Sequence, residues 1–217
     1  MKLPFTVEEF SRVFESYNTA IWPAQIAAYG LGVLAVVLAL RGGASRSRAV
    51  SGILAAFWIW MGIAYHIVFF ASINPPARLF GAFFVLQGIL FAIVGCFGQR
   101  LRFDAPTRRS RLVGLIMVAY AMVIYPLIGQ LLWHPYPKAP VFGVAPCPTT
   151  IFTFGLMLWA SGPVPIYLLV VPLLWSAVGT TAAIGLQVPQ DYGLGIAALL
   201  GAAMIVMNNR RRKSRES

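Results

Sequence analysis

His134-Pro-Tyr-Pro-Lys-Ala-Pro-Val-Phe-Gly-Val-Ala-Pro-Cys-Pro-Thr-Thr-Ile-Phe-Thr-Phe-Gly155 is the stretch on which the reading of this chain turns. Its prolines at 135, 137, 140, 146 and 148 each lack an N–H and push the preceding residue toward extended backbone. The stretch therefore reads as a shaped loop, with long apolar segments on both sides. The fold depends on what solvent those segments face.

Composition answers that. The chain has 217 residues, 59% of them hydrophobic and 11% charged, whereas a soluble domain carries about 25% charged residues. An integral membrane protein is expected, with the lipid bilayer as its first partner. The net charge of +11 lies in short basic clusters between apolar spans, and no nucleic-acid motif accompanies it, so no nucleic-acid partner is expected. Glu8, Glu9, Arg12 and Glu15 interrupt the first nineteen residues, so no cleavable signal peptide is read there.

Thr6-Val-Glu-Glu9 has the form of a capping box, with Phe5 and Phe10 placed as a hydrophobic staple. Phe10, Val13, Phe14 and Tyr17 then make one apolar stripe on a helix too short to span. That helix either lies in the membrane interface or packs on its own bundle. Apolar segments follow at 20–40, 50–71, 78–98, 112–133, 149–161, 165–185 and 192–208, most near the roughly 20 residues that a bilayer crossing needs. The fifth is short. It is either a thin crossing helix or a re-entrant element paired with the sixth through Ser161-Gly-Pro-Val-Pro165. The expected fold is all-α: one integral membrane helix bundle over 1–217 with about seven transmembrane helices. It divides into an amphipathic interfacial helix at 1–19, the bundle at 20–208 and a basic cytoplasmic tail at 209–217.

Lys and Arg favour the cytoplasmic side. With the N-terminus outside, Arg41, Arg46, Arg48, Arg100, Arg102, Arg108, Arg109, Arg111, Arg210, Arg211, Arg212, Lys213 and Arg215 fall inside, thirteen of the seventeen basic residues. Lys2, Arg12, Arg78 and Lys138 remain outside, balanced by Glu8, Glu9, Glu15 and Asp191. This predicts N-out, C-in and an odd number of crossings. Ala24/Ala28/Gly32 and Gly193/Ala197/Gly201 read as close-packing seams. Pro126 and Pro172 should kink their helices and free carbonyls that need partners. Trp22, Trp58, Trp60, Trp133 and Tyr136 read as interfacial or lipid-facing anchors.

Polar residues gather at the outer level: His66, Asn74, Arg78, His134, Cys147, Thr149 and Thr150 form the candidate ligand-binding set. His66, His134 and Cys147 are of the types that hold zinc, copper or, for the histidines, haem, though their spacing matches no metal motif, and the cofactor is left open. Cys147 with a histidine base is a thiol-nucleophile alternative, with no orienting carboxylate near it in sequence. Cys96 belongs to the inner end of the third span, too far from Cys147 for a disulfide.

The motifs Leu3-Pro-Phe-Thr6, Trp22-Pro-Ala-Gln25, Tyr65-His66 with Phe69-Phe70, Ile73-Asn-Pro75, His134-Pro-Tyr-Pro137 and Pro146-Cys-Pro-Thr-Thr-Ile-Phe-Thr-Phe-Gly155 resemble a family of bacterial multi-pass membrane proteins, domain-of-unknown-function family 6064. The resemblance covers nearly the whole chain. It implies a bacterial inner membrane and supplies no catalytic residue; a transporter-permease label on some members is an association only. Three functional readings stand. The first is a protein that binds or passes a small molecule or ion through a site open to the extracytoplasmic face. The second is a membrane-embedded metal, haem or thiol-dependent enzyme. The third is a non-catalytic accessory subunit of a membrane complex.

Overall fold

A computed structural model describes residues 4–103 and 107–216, and among them the chain is helical with no strand. Lys2 and Leu3 lie outside the described residues, as do the side chains of Lys213 and Arg215. Helix α1, Val7–Ala20, begins at the expected capping box: Thr6 accepts from the Glu9 N–H while the Glu9 carboxylate accepts from the Thr6 N–H. That backbone bond, and then the Thr6 hydroxyl, hold the exposed Glu9 carboxyl below its ordinary pKa. Phe5 stacks on Phe10 at 5.7 Å between ring centroids, completing the staple. The apolar stripe of α1 is spent on the protein itself, since Phe14 and Tyr17 are buried against Tyr65.

Helices α2 (Ala24–Arg41), α3 (Ala44–Ser72), α4 (Ala77–Phe97), α5 (Arg108–Leu132) and α7 (Ile166–Leu186) are long and apolar enough to cross a membrane. So is Pro189–Arg212, which joins a 3₁₀ turn, Pro189–Asp191, to helix α8, Tyr192–Glu216. Between α5 and α7 lies α6, Pro146–Met157. Its twelve residues reach only ~18 Å at ~1.5 Å each, against ~30 Å of hydrocarbon. Yet α6 is the centre of the bundle, with every residue except Cys147 buried.

Two ends of the bundle are chemically distinct. At one, Tyr17 donates to the Val144 carbonyl (2.8 Å) and Asn18 to those of Pro137 and Ala139 (2.6 and 2.8 Å), so α1 ties down the proline-rich loop ahead of α6. Burial raises the Tyr17 hydroxyl pKa, against a smaller opposing effect of the Trp60 N–H, so it stays a donor. At the other end Phe103 donates to Ser47, Asn208 to Ser110 and Cys96 to the Arg48 carbonyl. Residues 158–165 lead from α6 to that second end: Ser161 N–H donates to Arg102 O (2.7 Å), Arg212 to Ala160 O (3.0 Å), and the Asn209 amide brackets Val164. The arginines around these contacts therefore share one end.

Both kinking prolines behave as expected. An internal proline leaves the carbonyl four residues earlier without its donor. For Pro126 that carbonyl is Met122 O, in the π-helical stretch Tyr120–Ile124, and Tyr29 of α2 donates to it at 3.2 Å. For Pro172 it is Leu168 O, where a 3₁₀ turn gives way to α-helix, and the Gln87 amide of α4 donates at 3.1 Å.

Several expectations require correction. Pro146 and Pro148 lie inside the first turn of α6 rather than in a loop, which is permitted because first-turn N–H groups have no intrahelical acceptor. Cys147 is consequently helical. Trp58 is no lipid-facing anchor: it is fully buried and donates to Thr153 (3.1 Å). The Ala28/Gly32 seam of α2 receives the loop, with the Met122 side chain of α5 beside Phe142 at Gly32. Gly143 there has φ +80°, and a Cβ on it would come within 2.6 Å of the Ala28 Cβ. Gly114 and Gly155 bring α5 and α6 together so closely that a Cβ on Gly114 would stand 2.6 Å from the Gly155 carbonyl.

Gln87→Leu should lower stability by about 1 kcal/mol, because it strands Leu168 O in an apolar interior. Gly114→Leu should cost several times more, seen as loss of the monodisperse species in detergent; equal melting of Gln87→Leu and wild type would refute the first.

Candidate functional site

A small cavity of about 60 Å³ lies at the α1 end, between α1, the Tyr65–Phe70 region of α3, the start of α6, and α7. Its wall is aromatic and aliphatic except for Tyr65, Asn74, Cys147, Trp175 and Asp191. Asn74 reaches it because the Phe70–Ala77 turn is closed by Asn74 N–H to Phe70 O and by Ala77 N–H to Asn74 O. Cys147 keeps part of its surface open to the cavity at the second position of α6.

The polar centre is Asp191, which ends the Pro189–Asp191 turn and is only 4% exposed. Tyr125, buried on α5 just before Pro126, donates its hydroxyl to the carboxylate, and the Cys147 thiol lies beside it from α6. Tyr120 fixes the same turn by donating to Gln190 O (2.7 Å). Three elements thus converge on one carboxylate. The Trp175 indole N–H lies beside Cys147 without closing a hydrogen bond, and among the described residues it has no partner. A buried donor left open in this way costs about 1–3 kcal/mol unless a guest or water meets it.

Sequence reasoning counted Asp191 among exterior counter-charges and placed no carboxylate near Cys147. The structure corrects both. The clue available was Pro189-Gln-Asp191 directly before an apolar span, but nothing local distinguishes a buried turn from an exposed one.

The other candidates separate. His66 is fully buried behind Trp175, its ring 4.9 Å from the indole and 4.5 Å from Phe84, and neither ring nitrogen has a hydrogen-bond partner among the described residues. His134 stands instead against Trp133 (4.4 Å), in a surface groove with Glu8, Glu9, Glu15 and Lys138. Arg78 is exposed. Thr149 is consumed by structure, accepting from Gly143 N–H (3.0 Å) and donating to Ala145 O (2.8 Å). The Thr150 hydroxyl is buried, without a partner among the described residues. No three His, Cys, Asp or Glu side chains among the described residues come together as a metal ion would require. His66, His134 and Cys147 thus do not form one cluster.

Fold and site together define a class: a multi-pass helical membrane protein with a mainly apolar cavity built around one buried carboxylate. Within that class the chain belongs to the Family of unknown function (DUF6064), whose profile matches residues 7–216. Searches of curated proteins and of solved structures return no match.

The Tyr125–Asp191 contact should show coupling. Tyr125→Phe and Asp191→Asn each lower stability, and the double variant should be less damaged than their sum by about 0.5–3 kcal/mol in denaturation midpoints. Strict additivity would mean that the two groups act independently.

Proposed function

We propose that this protein crosses the bacterial inner membrane seven times, N-terminus out and C-terminus in, and binds or passes a small molecule in the cavity at its outer end. Support for the orientation is the collection of arginines at the end of the bundle opposite α1, in accord with the preference of basic residues for the cytoplasm. For seven crossings the support is residues 158–165, which carry the chain from the end of α6 to Arg102.

The observation that carries the binding reading is a mostly apolar cavity whose wall includes the few polar side chains Asp191, Cys147, Trp175 and Asn74. Apolar walls give affinity through burial, and a small number of placed polar groups give orientation. Cys147 and Asn74 remain ligand-binding residues in this reading, joined by Asp191 and Trp175, while His66 backs the indole. A hydrated ion is poorly served by such a wall, which offers one carboxylate and no ring of oxygen ligands. Whether the occupant is carried across or held, its binding comes first.

Purified protein should enhance the fluorescence of 1-aminoanthracene, a small apolar amine. Ala182→Trp, which fills the cavity from α7, should weaken that binding by about tenfold, equivalent to about 1.4 kcal/mol. Unaltered binding in Ala182→Trp would remove the cavity as the site.

A further inference from the structure

The cavity shares a wall with a second depression. Between α4 and α7 an apolar groove lined by Phe83, Phe84, Val171 and Leu174 opens on the outer surface of the bundle, where Phe83 and Leu174 are 39% and 54% exposed. Phe80, Trp175 and Val178 line groove and cavity alike. In a membrane-spanning bundle that surface is wetted by lipid. Trp175, the bulkiest part of the wall, is held by ring contacts with His66 (4.9 Å), Phe84 (5.3 Å) and Phe80 (5.8 Å). Its N–H makes no hydrogen bond among the described residues, so no directional bond from that N–H fixes the ring.

We infer that the occupant is an amphiphile taken sideways from the bilayer through the α4–α7 groove, with its apolar chain against the aromatic wall and a neutral or cationic head at Asp191. This rests on the cavity being a binding site, as proposed above, and specifies what enters and by which route. The head follows from the atoms present. Asp191 accepts, the Trp175 N–H donates without a partner, and no Lys or Arg lines either depression. A hydroxyl or an amine satisfies the carboxylate, and a hydroxyl also satisfies the indole. A carboxylate or phosphate head would meet Asp191 with no cation to offset the repulsion. The chain follows from the walls: Phe14, Phe70, Phe80 and Leu186 present only carbon to the cavity, so an apolar chain leaves the bilayer for surroundings as apolar as the lipid and only the head gains new polar partners. Lateral entry follows from Phe80, Trp175 and Val178 being all that is common to cavity and groove.

Cys147 reports on the route, because Cys96→Ala leaves it the one thiol in the chain. Full-length Cys96→Ala protein in phosphatidylcholine liposomes is treated with N-alkylmaleimides of increasing chain length or with a charged, membrane-impermeant methanethiosulfonate. Labelling by the maleimides should rise up to about fourfold per added CH₂, following their partition into the bilayer, while the charged reagent leaves Cys147 unmodified. Leu174→Trp, which fills the groove and touches nothing in the cavity, should slow N-hexylmaleimide about tenfold, and Leu174→Ala should speed it. Dodecan-1-ol or dodecylamine at ten times its Kd should protect Cys147 about tenfold, and laurate should not. Labelling by the charged reagent, with the Leu174 variants indistinguishable from wild type, overturns lateral entry; if 1-aminoanthracene still binds, the cavity reading stands without it. Protection by laurate equal to that by dodecan-1-ol overturns the assignment of the head.

Discussion

In hydrocarbon every backbone N–H and C=O must find its partner inside the protein, and this constraint organises the whole bundle around one helix that is too short. α6 begins and ends within the protein, so both its termini must be satisfied by neighbours. At its start, Ala145 N–H is taken by Val141 O, and Pro146 and Pro148 have no N–H to satisfy. Of the four donors that a helix normally leaves open, only that of Cys147 remains. Thr149 binds the incoming loop through both its hydrogen-bonding capacities, and α1 holds that loop from above through Tyr17 and Asn18. At the far end Arg102, Asn209 and Arg212 receive the irregular exit chain.

The same logic accounts for side chains that look out of place in a lipid-soluble bundle. Tyr29 and Gln87 serve carbonyls that Pro126 and Pro172 set free, and Ser176 donates to Pro172 O at 2.7 Å. Each of these two proline breaks is matched by one polar residue on a different helix. The breaks are then fixed bends, and those bends shape the cavity: Pro126 follows Tyr125, which holds Asp191, and Pro172 precedes Trp175, which forms the wall.

How much of this was legible follows from the range of each interaction. The capping box, the staple, the apolar spans and the consequences of the two prolines depend on residues within a turn or two of each other, and the sequence displays them directly. The segregation of arginines is also visible, because an alternating chain needs only parity to assign an end. What depends on tertiary placement was hidden. Trp58 has the composition of an anchor and the position of a core residue. Asp191 lies in a turn that reads as exterior until Tyr120, Tyr125 and Cys147, from two other helices, close over it. His66 and His134 read from sequence as sharing a level, yet one is packed in the interior and the other lines a surface groove.

Asp191 gains meaning from its isolation. The chain has six acidic residues; Glu8, Glu9 and Glu15 belong to α1, and Asp104 lies outside the described residues. Among the described residues Asp191 is the single buried carboxylate, and removing a carboxyl group from water costs free energy that packing alone does not return. Tyr125 offsets part of that cost by donating to the carboxylate. The cavity adjoins the group, and its wall also carries an indole N–H without a partner among the described residues. A polar pair left incomplete beside empty space is a poor way to stabilise a fold, since an apolar replacement of similar volume would serve better. It is a good way to hold a guest that brings the missing donor and acceptor with it.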